Sequence, residues 1–185
     1  MPTVYLSPSI QEFPYVGGGN AEYYMNLIVD AMIPYLRASG IGFTRNNPGD
    51  TLESIIEREN AYPYDLHLAI QTVAAPEGLS GQLQGQNIYH YAVTSVGGER
   101  AANTIANNLK EIYPHPELVK MLPSYVLVEV FRTYAPAVIA QLGYHDNPED
   151  AQWIRDNIDA IAKNLVISIA DFLNVQFVDP GMRFQ

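Results

Sequence analysis

Short apolar runs alternate with longer amphipathic patterns along most of this chain of 185 residues, and this alternation restricts its fold more than any other feature. The runs 4–6 (VYL) and 65–71 (DLHLAIQ) have the length and composition of strands. The stretch 20–38 instead repeats apolar residues at i, i+3, i+4 and i+7, which is the spacing of one helix face. Strands separated by helices indicate parallel pairing through helical crossovers.

The complete pattern is β-α-β-α-β-β-α-β-β-α. Strands are predicted at 4–6, 41–44, 65–71, 87–93, 125–131 and 137–142. Helices are predicted at 20–38, about 50–60, about 99–113 and from 147 onward. This order predicts an α/β fold, a three-layer sandwich in which a twisted, mostly parallel sheet of about six strands has helices on both faces. The length fits one domain, so residues 1–185 are expected to form a single domain.

Local signals refine these boundaries. The segment 147–150 (NPED) has Asn at the N-cap, Pro at the first helical position and acids in the first turn, which is a strong helix start. The segment 50–53 (DTLE) resembles a capping box. Pro34 lies inside the first helical pattern and is expected to kink or split that helix. Three prolines between 114 and 123 predict an irregular segment.

Charge and composition exclude several functions. The net charge of −10, with no basic cluster, argues against a nucleic-acid partner, because Lys and Arg supply that affinity. The absence of Cys excludes disulfides and thiolate chemistry, so any metal site must use His and carboxylates. No stretch approaches the roughly 18 apolar residues of a membrane span, and the first residues do not have the pattern of a signal peptide.

In folds of this class, ligands bind at the carboxyl ends of the strands. The residues after Leu6, around Gln71 and around Gln141 are therefore the first candidates for a functional site.

These places lie within a set of motifs distributed over nearly the whole chain. The motifs are 4–9 (VYLSPS), 22–26 (EYYMN), 43–46 (FTRN), 65–70 (DLHLAI), 135–139 (APAVI) and 143–150 (GYHDNPED). In this order and at this length, they resemble the catalytic domain of zinc-dependent N-acetylmuramoyl-L-alanine amidases, the cell-wall hydrolases found in bacterial autolysins and phage endolysins.

The resemblance implies a particular chemistry. A His after the first strand, a Glu on the first helix and a His at the end of the third strand would hold one Zn²⁺ and leave a position for water. The metal would activate this water and polarise the amide that joins the lactyl group to L-alanine in peptidoglycan. A Glu after the 135–139 motif would act as general base and acid.

The sequence departs from that pattern at most of its functional positions. The first His position falls on Ile10 or Phe13, depending on the register, and the second falls on Gln71. The general acid/base position falls on Gln141, which cannot exchange a proton near neutral pH. Glu22 is the only match to a metal ligand. No cofactor is therefore expected, and zinc binding is predicted to be absent or weak.

The four His residues are not spaced as metal ligands. His67 precedes Gln71 on the same strand face but lies about 13 Å away along the strand. His90 lies within the fourth predicted strand and His115 lies between two prolines. His145 follows Gln141 and is expected to be the nearest to the site. For each of them, a hydrogen-bonded structural or solvated role is the simpler interpretation.

The polar residues also have alternative interpretations. Glu22 in a first helical turn is favourable to the helix dipole without any metal. Gln71 and Gln141 can satisfy loop backbone, or they can form a binding groove together with Phe13.

Three hypotheses follow. A non-catalytic domain would bind peptidoglycan or muropeptide fragments, or a protein partner, in the groove. An active amidase would use a rearranged zinc site, for example Glu22, His145 and a carboxylate such as Glu12. A structural or oligomerisation role would use the fold alone. The resemblance places the family at the bacterial cell wall, and the sequence does not indicate the localisation of this chain.

Overall fold

The computed structural model describes residues 1–93 and 96–181. The strands are β1 (Thr3–Pro8), β2 (Gly42–Arg45), β3 (Leu66–Val73), β4 (Gln86–Tyr91), β5 (Val119–Ser124) and β6 (Ala137–Tyr144). The helices are α1 (Ala21–Ala38), α2 (Leu52–Asn60), α3 (Val96–Lys110), α4 (Val128–Phe131), α5 (Pro148–Asp156) and α6 (Ile158–Leu173). Positions 94–95 and 182–185 of the expected single domain lie outside the described residues.

The strands form one sheet in the order β2-β1-β3-β6-β4-β5. All neighbours are parallel except β4 and β6, which pair antiparallel. The predicted α/β sandwich with a mostly parallel sheet is therefore confirmed. Because β1, β3 and β6 run in one direction, their carboxyl ends meet at one edge of the sheet, and the reversed strands β4 and β5 end at the other.

The two faces of the sheet are covered differently. One face is apolar and packs against α1 and α3, and α6 packs against both of these helices. The other face carries a smaller apolar cluster of Ala69, Ala137 and Ile139, against which Val130 of α4 packs. The same face of β3 also carries His67 and Gln71, because alternate residues of a strand point to the same side. No helix among residues 1–93 and 96–181 is long and apolar enough to cross a membrane.

The predicted strand at 125–131 is wrong. The strand of this region is β5, which ends at Ser124, and residues 128–131 form the short helix α4. The Ser124 hydroxyl accepts hydrogen bonds from the backbone N–H groups of Val126 and Leu127, which turns the chain away from the sheet. Pro123 is tolerated because β5 lies at the sheet edge, where one side of the strand needs no ladder hydrogen bonds.

Three helix predictions are refined by the structure. Helix α1 continues through Pro34, so this proline does not split it. The capping box of α2 is confirmed but lies one residue later, because Thr51 and Ser54 exchange the reciprocal hydrogen bonds. The last helical pattern is interrupted at Asn157, whose side-chain amide donates to the Trp153 carbonyl and separates α5 from α6.

Asp150, in the first turn of α5, connects three parts of the chain. Its carboxylate is fully buried and accepts hydrogen bonds from the backbone N–H groups of Gly85 (3.0 Å) and Tyr144 (2.9 Å) and from the Tyr113 hydroxyl. Burial raises the pKa of Asp150 above its usual value, although these hydrogen bonds lower it. The group therefore fixes the chain before β4 against the end of β6.

We expect Asp150→Ala to lower the free energy of unfolding by about 2–6 kcal/mol, because two buried N–H groups lose their acceptor at about 1–3 kcal/mol each. Asp150→Asn is the matched control and should cost less, since its amide oxygen can still accept from Gly85 and Tyr144. Urea denaturation followed by circular dichroism measures both. Equal losses for the two variants would contradict this assignment.

Candidate ligand-binding site

A cavity of about 150 Å³ lies where β1 and β3 end. It contains three of the residues predicted from the sequence, Ile10, Phe13 and Gln71. Its walls are mixed, with apolar side chains facing hydroxyl, amide and carboxyl groups. The complete lining is Ser7, Pro8, Ser9, Ile10, Gln11, Phe13, Leu52, Ile55, Gln71, Thr72 and Glu129.

Glu129 is the main feature of this cavity that sequence reasoning missed. It lies on α4, and its side chain is 7% exposed. Its Oε1 accepts a hydrogen bond from the Gln71 amide (3.0 Å), and its Oε2 lies 3.0 Å from the His67 Nε2. The side chains of His67 and Gln71, four residues apart on one face of β3, therefore meet at a single carboxylate.

Helix α4, which carries Glu129, packs on β6 and β4, and the chain that follows it is held by α2. Arg132 forms a two-pronged ion pair with Glu53 of α2, at 2.7 and 2.8 Å. Glu59 of α2 is fully buried and accepts hydrogen bonds from the backbone N–H groups of Tyr134 and Ala135. These contacts near the two ends of α2 fix the chain that follows Glu129.

His67 is fully buried near the start of β3. Its ring stacks on Tyr5 of the neighbouring strand, with centroids 5.5 Å apart and the planes 7° from parallel. Its Nδ1 is buried without a hydrogen-bond partner among the described residues. The Glu129 carboxylate is thus the polar group that compensates the burial of this imidazole.

A second hydrogen-bonded group lies on the other side of β3. The Tyr15 hydroxyl donates to the Thr72 Oγ1 (3.2 Å), which lies 3.2 Å from the Nδ1 of His145. The His145 ring also stacks with Tyr15 and with Phe13 of the cavity wall. Burial lowers the pKa of His145, although the neighbouring Asp146 raises it. His145 therefore lies next to the cavity, and its burial favours the neutral imidazole.

Gln141 and Glu22 do not line the cavity. Gln141 of β6 pairs with Gln71 of β3, so the two residues are neighbours near the carboxyl ends of these strands. Glu22 lies in the first turn of α1, where its carboxylate accepts a hydrogen bond from the Asn26 amide (3.3 Å). The predicted groove of Phe13, Gln71 and Gln141 is thus only partly assembled around this cavity, and whether Gln141 or Glu22 contacts a ligand stays a prediction.

The remaining candidates lie elsewhere. His90 interacts through Nδ1 with the backbone carbonyl of Tyr91 (2.9 Å). His115 lies within 4 Å of the carboxylates of Glu117 and Glu149 near the surface. The loop 74–85 is organised by Asp146, which accepts hydrogen bonds from two of its backbone N–H groups and is not part of the cavity wall.

The residues of this site do not fit a zinc ion. Ile10 has no donor atom, and Gln71 offers only a neutral amide, whose NH2 group donates to Glu129. In the described part of the chain, no group of three or more His, Cys, Asp or Glu side chains is arranged to hold a metal. The set of Glu22, His145 and Glu12 is therefore not brought together as a metal site.

Comparisons with known proteins bear on this fold. No family model matches the sequence, and no curated protein sequence matches it significantly. Solved structures match closely over nearly the whole chain. The N-acetylmuramoyl-L-alanine amidase AmiC2 of Nostoc punctiforme has a TM-score of 0.79 at 15% identity, over 94% of this chain and 97% of that one.

Two further structures are similar to the same extent. The CwlD amidase from Clostridioides difficile, in complex with the GerS lipoprotein, has a TM-score of 0.80 at 12% identity, over 94% of this chain and 99% of that one. The amidase Ami1 from Mycobacterium smegmatis has a TM-score of 0.80 at 14% identity, over 94% and 97%. This chain therefore has the fold of the N-acetylmuramoyl-L-alanine amidases, and the resemblance seen in its sequence is confirmed at the level of the fold.

The lowered pKa of His145 predicts a specific pH dependence. The ordinary pKa of histidine is about 6.5, and below this pH the unfolded chain binds the proton more readily than the folded protein does. The free energy of unfolding should therefore decrease as the pH falls from about 6.5 through the lowered pKa of His145. His145→Gln should reduce the loss of unfolding free energy between pH 7.5 and 5, with His115→Gln as the control for removing an imidazole. Urea denaturation at each pH measures it, and an unchanged loss in His145→Gln would contradict the prediction.

Proposed function

We propose that this chain is a non-catalytic domain of the amidase fold that binds peptidoglycan fragments in the cavity at the ends of β1 and β3. The observation that carries the proposal is the Gln71 amide bonded to Glu129 at a position where the resemblance implies a metal-binding His. A neutral amide is a poor zinc ligand, and this one directs its NH2 group to the carboxylate. The similar structures are those of N-acetylmuramoyl-L-alanine amidases, which supports a peptidoglycan ligand for this chain.

The cavity supports binding of a peptide-like fragment. Its hydroxyl and amide groups, including Ser9 and Gln71, can hydrogen-bond a peptide backbone, and Ile10 and Phe13 offer apolar contact. Phe13 is 51% exposed, so its ring can contact a ligand without loss of core packing. Pockets that combine a few polar groups with apolar walls are typical of ligand sites. On this proposal the chain acts as one domain and at the bacterial cell wall.

A protein partner is a second candidate. The segment around α4 exposes large apolar side chains, with Tyr125 at 69%, Val126 at 78% and Tyr134 at 84%. Exposed apolar groups that lie close together are typical of interaction surfaces. The structure of the CwlD amidase with the GerS lipoprotein provides a case of such a complex on this fold.

Binding is tested by titrating the protein with N-acetylmuramoyl-L-alanyl-D-isoglutamine, followed by calorimetry and by NMR. We expect Phe13→Ala to weaken this binding about tenfold, because an aromatic wall is removed from the site, at a cost of about 1.4 kcal/mol. Leu79→Ala is the matched control, since Leu79 is similarly exposed (43%) but lies outside the cavity. Absence of any binding would refute the peptidoglycan ligand.

The loss of metal chemistry is tested separately. The purified protein should contain zinc well below one ion per chain and should release no amino ends from cell-wall material. If the site differs from the amidase pattern only in these side chains, the triple variant Ile10→His, Gln71→His, Gln141→Glu should bind zinc, as measured by elemental analysis. One zinc per chain in the unmodified protein, or release that a chelator abolishes, would overturn the non-catalytic proposal and favour an active amidase with a rearranged site.

A further inference from the structure

The Glu129 carboxylate retains hydrogen-bonding capacity within the cavity. A carboxylate offers about four acceptor positions, and the contacts to His67 and Gln71 use one on each oxygen. Glu129 is one of the residues that line the cavity. An incoming donor can therefore reach the same oxygens without displacing either contact.

The cavity lacks a strong cation of its own. Its lining contains no Lys or Arg. The nearest arginine along the chain, Arg132, is occupied by Glu53 outside the cavity. The chain as a whole has a net charge of −10, which attracts positively charged ligands. Both the local and the overall charge therefore favour a cation beside Glu129.

The dimensions restrict the size of that cation. A cavity of about 150 Å³ with apolar walls holds a molecule the size of benzene, which has about six heavy atoms. The apolar residues of the lining, Ile10, Leu52 and Ile55, favour an aliphatic group next to the charge. An aminoalkyl group, such as the first residue of a short peptide or the end of a basic side chain, meets both requirements.

We propose that the cavity binds the primary ammonium group of a peptide, with Glu129 as its acceptor. The inference rests on the proposed function for the kind of ligand, since it takes the ligand to be the peptide part of a cell-wall fragment. An ammonium supplies three donors and a positive charge, and charge-assisted hydrogen bonds are about twice as strong as neutral ones. A secondary amide at the same place supplies one neutral donor.

Two sources can provide this group, the α-ammonium at a peptide's free amino terminus and the ammonium of a side chain. Three probes separate them: L-alanyl-D-isoglutamine, its N-acetyl form, and N-acetyl-L-alanyl-D-isoglutaminyl-L-lysine. Binding to the unmodified protein is measured by calorimetry and by the NMR signal of the Gln71 side-chain amide.

We expect acetylation of the dipeptide to weaken binding at least about tenfold, or about 1.4 kcal/mol. If the lysine of the acetylated tripeptide restores binding, the side-chain ammonium is the ligand group, and if it does not, the α-ammonium is. Glu129→Gln should weaken the favoured probe by a similar factor. Glu111→Gln, which removes the same charge from an exposed position, should leave binding unchanged.

The outcomes separate this inference from the proposed function. Equal binding of the free, acetylated and muramoyl dipeptides overturns the ammonium site and leaves the peptidoglycan ligand in place. If none of them binds, the proposed function fails. A titration with ethylammonium chloride then tests the ammonium site by itself. A shift of the Gln71 NMR signal in the unmodified protein but not in Glu129→Gln supports the site, and no shift in the unmodified protein overturns it. If Glu129→Gln does not fold, the comparison of acetylated and free peptides on the unmodified protein still decides.

Discussion

The hydrogen bonds from His67 and Gln71 to Glu129 connect the sheet of this protein to its candidate site. Strand β3 lies between two parallel neighbours and is covered on both faces, so a buried polar side chain on it needs a partner inside the protein. His67 is such a side chain, and α4 supplies the carboxylate. The same carboxylate extends to Gln71 at the strand end, where the cavity opens.

This arrangement distinguishes the site from the one that the amidase resemblance implies. In that pattern, imidazole and carboxylate ligands surround a cation. Here, an amide and an imidazole surround a carboxylate, and the first ligand position carries the apolar Ile10. The fold is retained over about 94% of the chain at low sequence identity, which shows that the sheet does not depend on the chemistry at its edge. A change of side chains on a retained scaffold accounts for these observations.

The sequence predicts the sheet well because β1, β3 and β6 are buried and therefore appear in the sequence as local apolar runs. It also places Ile10, Phe13 and Gln71 together, because strand ends meet at one edge. It misses Glu129, because the alternating β-branched and aromatic residues of 125–131 favour a strand, whereas the Ser124 hydroxyl ends β5 before them. The short helix α4 that follows packs on β6 and β4, and no local pattern reports such contacts between distant parts of the chain.

The anchoring on α2 of the chain that follows Glu129 has a consequence for how such a site can change over time. The ion pair of Arg132 with Glu53 and the contacts of Glu59 lie outside the sheet core and outside the cavity wall. The two contacts differ in what a substitution would cost. Glu59 is fully buried, so its loss would leave two backbone N–H groups without an acceptor and would destabilise the fold. Glu53 and Arg132 are partly exposed, so this ion pair can change at little cost to folding and is where the chain beside the cavity has most freedom to vary.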